Sequence, residues 1–234
     1  MAKKPTSGKQ HDILDEGNEK IHEVYNNAEY VFEKYKNVIL GGVAAIAIAA
    51  GGWWGYNNLV KGPKEEKAKD AIVYAQRYFE MDSLSAALNG DGKHLGFEAI
   101  AKQYGNTAAG NRAHFGAGVC QLKMGNFAAA IKHLEEFSTE DGVLTARKFG
   151  CIGDAYAEQK QMDKAIDNYI KAGEATDNEL TTPTYLYRAA LALEQSGKKK
   201  EALELYKKIN NAYPNSQEGL AAEMYIAKLE AEAL

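Results

Sequence analysis

The residue types that can act as nucleophiles, general bases or metal ligands are few in this chain and widely spaced. Its five histidines are His11, His22, His94, His114 and His133. No two of them have the spacing of a metal-binding pair, and no Ser–His–Asp grouping can be recognised. We therefore predict a protein that is not an enzyme and that uses no cofactor, metal ion or small-molecule substrate. For His114 we expect a core or half-buried position.

The segment NGDGK (residues 89–93) is the one candidate for an ion- or phosphate-binding loop. It lacks the ligand spacing of an EF-hand and the GK[ST] ending of a Walker loop. We therefore interpret residues 83–93 as a plain loop with a turn at its centre.

Composition favours an all-α protein that does not bind nucleic acid. The formal net charge is −4, and no basic run or basic face is present. Helix-forming residues dominate, and no segment shows the two-residue alternation of a half-buried strand.

An uncharged stretch of nineteen residues, VILGGVAAIAIAAGGWWGY (residues 38–56), divides the chain. As a helix it would be roughly 28 Å long, which matches a bilayer core of about 30 Å. Trp53, Trp54 and Tyr56 gather at its far end, where aromatic rings prefer the headgroup region. We predict a transmembrane helix here. A buried core helix is the alternative, although such helices seldom run this long without a polar face.

The predicted organisation has three parts: a tail, 1–36, a transmembrane helix, 37–60, and a domain, 61–234. Lysines flank the span on both sides, with more of them on the domain side. Counted simply, they would keep the domain in the cytoplasm, but long translocated domains cross largely regardless of charge. Flanking charge therefore leaves the topology open.

Small residues four apart on the span predict a helix-packing face at Ala47, Gly51 and Gly55. A second row consists of Gly41, Ala45 and Ala49. Such rows let two helices approach closely. The alternative is that alanine and glycine are simply frequent in membrane helices.

The tail begins with a polar segment, residues 1–12, that we expect to be disordered. From Ile13 to Tyr35, apolar residues recur at three- and four-residue steps and predict an amphipathic helix that runs into the span. This helix could dock a cytoplasmic or membrane partner, or it could be an extension of the span that lies at the interface.

The domain carries a sequence repeat with offsets of 35 and then 37 residues. Each unit predicts a helical hairpin in which a small residue lies where two antiparallel helices cross, and a large residue fills the space beside it. In order, each unit has a small residue, a turn residue, an alanine and a large residue: Gly118, Gly125, Ala130 and Leu134; Gly153, Lys160, Ala165 and Tyr169; Ala190, Gly197, Ala202 and Tyr206.

These units resemble the tetratricopeptide repeat, whose usual period is about 34 residues. The position that usually holds tryptophan contains His114, Phe149 and Leu186, and the proline that ends a typical repeat occurs only as Pro214. A degenerate earlier unit is predicted from a helix over residues 64–81 and the segment FEAIAKQYGNT (97–107). A terminal capping helix is predicted over residues 217–233.

The order of parts is similar to that of YfgM-type proteins, which are ancillary subunits of the bacterial Sec translocon. The resemblance implies an uncleaved inner-membrane span with a cytoplasmic N-terminus and a repeat domain in the periplasm. It further implies contact with translocon channel subunits and with a periplasmic foldase, a chaperone or newly exported chains. A scaffold in envelope assembly or in another secretion system is the alternative, since other anchored repeat proteins share this layout.

In tetratricopeptide arrays the first helix of each hairpin lines the concave face, so the resemblance also places a partner-binding groove. The mixed residues do not match the Lys/Asn/Arg clamp that holds a carboxylate tail in some members, and an apolar peptide fits them better. The alternative is that neighbouring helices bury several of these side chains. The predicted groove consists of Arg112, Phe115, Val119, Leu122, Lys123, Arg147, Asp154, Glu158, Tyr187, Leu191 and Glu194.

Cys120 and Cys151 fall on the first helices of adjacent predicted repeats. Adjacent helices pack at about 8–10 Å, whereas a disulfide needs Cα atoms within about 7 Å. We therefore favour two buried thiols over a disulfide.

Overall fold

The computed structural model describes the backbone of residues 9–232 and the side chains of residues 32–232. The chain divides into two compact units, residues 1–60 and residues 61–234. Most of the polar segment 1–12 lies outside the described residues. Residues 9–12, the last four of this segment, are described and belong to the first helix, which begins at Lys9, earlier than we expected.

The first unit is dominated by one long helix, α1 (Lys9–Gly55), which continues as a π-helical segment at Tyr56–Lys61. By length and composition, one helical run in the described part of the chain could cross a membrane. This run spans Phe32–Glu80, and its most apolar window is 0% buried within the protein. Its residues include Trp53 and Trp54, which are 70% and 65% exposed.

In the described part of the second unit, residues 61–232, the regular secondary structure is helical apart from one isolated bridge between Gly90 and Leu95. Its helices are α2 (Gly62–Glu80), α3 (Leu84–Asn89), α4 (Phe97–Tyr104), α5 (Ala108–Lys123), α6 (Phe127–Glu136), α7 (Gly142–Glu158), α8 (Met162–Glu174), α9 (Thr181–Gln195), α10 (Lys199–Ala212) and α11 (Gln217–Glu232).

The three predicted hairpins are α5–α6, α7–α8 and α9–α10, and in each the two helices pack against one another. The first helices also contact each other in series, from α2 to α5, α7, α9 and α11. The earlier, degenerate unit consists of α2 and α4, as predicted. The prediction of a plain loop over residues 83–93 is partly wrong, because this segment contains α3. This short helix packs on α2, α4 and α5 and buries Ala87 and Leu88.

In the first two hairpins a small residue on the first helix contacts a large one on the second. A Cβ atom on Gly118 would lie 2.6 Å from Cγ of Leu134, and one on Gly153 would lie 2.6 Å from Cε1 of Tyr169. Both distances are below van der Waals contact, so a methyl group would force the helices apart. The alanines of the repeat, Ala130, Ala165 and Ala202, are all 0% exposed.

The turns inside the hairpins share one backbone motif. The predicted turn residues Gly125, Lys160 and Gly197 all have left-handed backbones, with φ of 81°, 60° and 76°. At the first of them, the amide of Gly125 donates to the carbonyl of Leu122, and the amide of Asn126 donates to that of Gln121. This is the Schellman pattern, which closes the open carbonyls at a helix C-terminus. The same pair of bonds occurs at Lys160 and at Gly197.

Side-chain caps mark where the first helices α5 and α7 begin. The Thr107 hydroxyl accepts from the amide of Gly110 at 2.9 Å, and the Asp141 carboxylate accepts from that of Leu144 at 2.8 Å. Glu65, on α2, reaches the start of α5 and accepts from the amide of Ala108 at 2.7 Å. A carboxylate at a helix N-terminus also complements the helix dipole. Glu65 therefore ties the degenerate first unit to the next hairpin.

Substitutions at the shared turn position should have opposite effects in different repeats. Gly125→Ala should lower the free energy of unfolding by about 1 kcal/mol, because a left-handed backbone strains a residue with a Cβ. Lys160→Gly should raise it by up to about 1 kcal/mol, because it removes the same strain. Urea unfolding of the full-length protein in detergent, followed by circular dichroism, measures both. Changes of the same sign would contradict this account of the turns.

Candidate protein-binding face

The predicted groove residues all lie on α5, α7 and α9, on the face where the first helices adjoin. We call this surface the first-helix face. None of these residues is buried, so neighbouring helices do not remove them from solvent. The structure does not gather them into one groove, however. It distributes them over an apolar pocket, a polar cleft and a tyrosine cluster.

The apolar pocket lies between α2, α5 and α7 and has a volume of about 230 Å³. Four phenylalanines from four segments surround it, and Phe115 and Phe137 pack with ring centroids 5.1 Å apart. The volume is below the roughly 300–1,000 Å³ of sites for drug-sized ligands, and it suits one or two apolar side chains better. Its apolar lining includes Phe79, Phe97, Phe115, Val119, Phe137 and Leu144.

Two arginines, Arg112 and Arg147, line the same pocket and are exposed. The guanidinium of Arg147 lies over the Phe115 ring, 5.6 Å from its centroid. Within residues 32–232, neither arginine has a carboxylate at salt-bridge distance. No acidic residue lines the pocket. Its chemistry is therefore an apolar cavity with a cationic rim.

Sequence reasoning found four of the pocket residues and missed the others. Arg112, Phe115, Val119 and Arg147 come together as one site. Phe79 and Phe97 were missed because they belong to the degenerate unit, whose register could not be aligned with the later repeats. Phe137 was also missed; α6 ends at Glu136, and Phe137 follows it with an extended backbone. This extended backbone lets its ring reach the pocket.

Asp154 holds the middle of the array together. Its carboxylate accepts from the Arg188 guanidinium at 2.8 and 3.0 Å, which joins α7 to α9. It also accepts from the Tyr169 hydroxyl at 2.8 Å, which joins α7 to α8. Burial and this carboxylate raise the pKa of Tyr169. These contacts give Asp154 a structural role.

Leu122, Lys123 and Glu158 line a polar cleft with Asp154, and Leu191 lies in an adjoining one. Lys123 has two neighbours on or beside α2. Its ammonium lies 3.3 Å from the Asp82 carboxylate and 5.3 Å from the centroid of the Phe79 ring. Lys123 therefore links α5 to α2. Glu158 remains exposed beside it.

The third part of the face is a cluster of tyrosines between α9, α10 and α11. Tyr206 and Tyr225 stack with centroids 4.9 Å apart, and Tyr187 meets both edge to face. Burial, together with a hydrogen bond to Tyr225, raises the pKa of Tyr187 to about 12. Glu194 borders the cluster and pairs with Lys228 at 2.6 Å. Tyr187 and Glu194 thus serve mainly to join α9 to the last helix.

Both cysteines are free thiols in the structure. Cys120 is buried, as predicted, whereas Cys151 is half-buried. Burial raises the pKa of each thiol to about 11, so both are protonated near neutral pH. Since the thiolate is the nucleophilic form, neither residue has the electrostatics of a reactive cysteine.

The structure brings one pair of histidines together, although their spacing along the sequence is not that of a metal-binding pair. His114 on α5 and His133 on α6 face each other, and Glu136 lies beside them. The side chain of His114 is 14% exposed, which agrees with its predicted half-buried position. Burial lowers its pKa, although the Glu136 carboxylate opposes this shift. The sequence did contain a signal, because His114 and Glu136 each lie eleven residues from the turn at Gly125.

The predicted packing face of the span, Ala47, Gly51 and Gly55, lies on α1. Within the described residues, nothing lies within 4 Å of a Cβ placed on Gly51 or Gly55. A role for this face in helix association stays a prediction.

Comparisons with known proteins identify the fold. A model of the tetratricopeptide repeat matches residues 112–141 and 184–216, which cover most of the first and third hairpins. The helical hairpins of the second unit have the fold of a tetratricopeptide-repeat solenoid. The α7–α8 hairpin lies between the two matched segments, and its two helices pack against each other as those of the other hairpins do. The tetratricopeptide-repeat fold is generally a non-catalytic scaffold for protein interactions.

Solved structures of similar fold include two of a Podosopora anserina protein assigned as a kinesin light chain with nearly identical TPR-like repeats. Each is 14% identical, with a TM-score of 0.54, and the match covers 70% of this chain and 84% or 85% of that one. A structure of MamA protein is 17% identical, with a TM-score of 0.51, and the match covers 70% of this chain and 90% of that one. These likenesses show the fold alone. No curated protein sequence matches the chain.

The role assigned to Asp154 can be tested against its neighbour Glu158. Asp154→Ala should lower the free energy of unfolding by about 1–3 kcal/mol, because Arg188 and Tyr169 lose a charged hydrogen-bond partner. Glu158→Ala, one helical turn away and exposed, should change it by less than about 0.5 kcal/mol. Denaturant unfolding of the two purified variants gives both values. Equal effects would show that the Asp154 network does not stabilise the array.

Proposed function

We propose that this protein is a non-catalytic scaffold that is anchored in a membrane by a single helix and binds other proteins through the apolar pocket. The observation that carries the proposal is the pocket itself, which is lined by phenylalanines from four segments and bordered by two exposed arginines. Phe79 and Phe115 are half-exposed there, whereas Phe97 and Phe137 are buried. Large apolar side chains next to arginine are typical of the centres of protein interfaces.

The pocket's chemistry favours one kind of partner segment. Its volume of about 230 Å³ accepts one or two apolar side chains. The guanidiniums of Arg112 and Arg147 would pair with a carboxylate beside them, since arginine binds carboxylates in bidentate geometry. The expected ligand is a peptide segment in which an acidic group lies close to a large apolar side chain.

The cellular role that we propose is that of an accessory subunit of the Sec translocon in the bacterial inner membrane. Its support is the order of parts, which is similar to that of YfgM-type proteins: a tail, one apolar helix and a small repeat array with a degenerate first unit. In this arrangement the N-terminus is cytoplasmic and the repeat domain is periplasmic. The partners would be translocon channel subunits and a periplasmic foldase, a chaperone or emerging secretory chains.

Copurification from native membranes tests this proposal. The tagged full-length protein, purified in mild detergent, should recover the translocon channel and a periplasmic foldase, identified by mass spectrometry. Val119→Asp places a charge in the apolar pocket and should reduce recovery of the domain's partner by about 10-fold or more. Ala128→Asp is the matched control, because it adds the same charge at an exposed position of α6 and should leave recovery unchanged.

Three results would contradict parts of the proposal. Recovery of cytoplasmic proteins only would place the domain on the other side of the membrane. Recovery of outer-envelope machinery in place of the channel would favour the alternative role in envelope assembly. Equal loss of partners in both variants would exclude the pocket as the binding site.

A further inference from the structure

Three potential metal ligands converge on one side of the α5–α6 hairpin. Nδ1 of His114 lies 3.4 Å from Nδ1 of His133 and 3.0 Å from Oε2 of Glu136. The ligand atoms of all three residues lie within 4.8 Å of one another. Two imidazole nitrogens and a carboxylate oxygen thus lie close together.

These separations are close to those that a bound metal ion would impose. Zinc binds imidazole nitrogen and carboxylate oxygen at about 2.0–2.2 Å, so adjacent ligands of a tetrahedral site lie about 3.3–3.5 Å apart. The two shorter separations, 3.4 and 3.0 Å, lie near this edge length. The third is bounded at 4.8 Å and would need only a side-chain adjustment of His133 or Glu136.

The hairpin itself sets this geometry. His133 and Glu136 are three residues apart and therefore lie on the same face of α6. His114 is directed toward them from α5, while its other ring nitrogen, Nε2, faces the turn before α5, 3.4 Å from a Cβ placed on Gly105. The site is open to solvent at Glu136, whose side chain is 46% exposed. An ion could therefore enter without unfolding of the hairpin.

We propose that His114, His133 and Glu136 form a binding site for a divalent transition metal ion of the zinc class. Two neutral imidazoles and one carboxylate are a donor set that zinc uses, and the fourth position is left for water or for a ligand from a partner. This site is separate from the peptide-binding proposal and does not depend on it.

Metal binding at this site would affect the apolar pocket through the backbone. Phe115 follows His114, and Phe137 follows Glu136, and both phenylalanines line the pocket. An ion that joins α5 to the end of α6 would therefore restrain two walls of the pocket. The expected consequence is a hairpin that unfolds at higher temperature when the ion is bound, because the ion binds the folded form preferentially.

The test uses the full-length protein in detergent, titrated with Zn²⁺ and, as a spectroscopic probe, with Co²⁺. We expect one tightly bound ion per chain, a Kd of about 1 μM or lower, and Co²⁺ absorption of the intensity typical of tetrahedral coordination. Glu136→Gln and His133→Asn should each weaken binding by at least about 10-fold and abolish that absorption. Circular dichroism without metal checks that both variants remain folded.

Matched controls separate this site from other ligands in the chain. Glu135→Gln changes the neighbouring carboxylate, and His94→Gln removes a histidine outside the cluster, so both should bind as the parent protein does. Equal binding by all four variants, or Co²⁺ absorption of octahedral intensity, would overturn the proposal. Absence of binding by the parent would show that the cluster is only a hydrogen-bonded contact between α5 and α6.

Discussion

The close approach of the two helices in each hairpin is the constraint on which the repeat domain depends. Gly118 and Gly153 let the second helix come near enough for Leu134 and Tyr169 to pack directly against backbone. Burial of a side chain of that size stabilises the fold by about 1.5–3 kcal/mol. The left-handed turns at Gly125 and Lys160 then fix where each second helix starts, so small residue, turn and large residue act as one unit.

Most of the polar groups on the first-helix face form hydrogen bonds or ion pairs with neighbouring helices when the hairpins stack. Arg188 pairs with Asp154, and Lys228 pairs with Glu194, and each pair is 34 residues apart in sequence. The same spacing brings the Thr184 hydroxyl to Glu218. Exposed ion pairs contribute little individually, but here they accompany buried tyrosine contacts and fix the register between neighbouring repeats. The part of the face between α2, α5 and α7 differs, because its arginines border an apolar pocket and have no carboxylate partner among the described residues.

The hairpins could be predicted from sequence because their pattern is local. Small, turn, alanine and large positions recur at nearly constant spacing, and the structure confirms each of them in the three repeats. The sequence could not predict α3, since six residues between two loops carry no periodicity that distinguishes a short helix. It also missed the contributions of Phe79 and Phe97 to the pocket, because these depend on how a degenerate unit packs on the first regular hairpin.

The cluster of His114, His133 and Glu136 shows a different limit. Searches for metal-binding spacing compare residues along one helix, whereas these ligands come from two antiparallel helices. In the sequence, their proximity can be predicted only from the position of the turn at Gly125. Conversely, Asp154 and Glu194 were predicted as groove residues because of their helix positions. Their partners on neighbouring repeats, Arg188 and Lys228, give them a structural role that no single-helix pattern reveals.

Site-specific crosslinking tests most directly whether the pocket contacts another protein in the membrane. A photoreactive amino acid at position 119 of the full-length protein lies in the apolar pocket, and one at position 208 lies on the exposed side of α10. After irradiation of intact cells, the account predicts a discrete crosslinked product from position 119 and none from position 208. A product from position 208 alone would contradict the claim that the first-helix face is the binding surface.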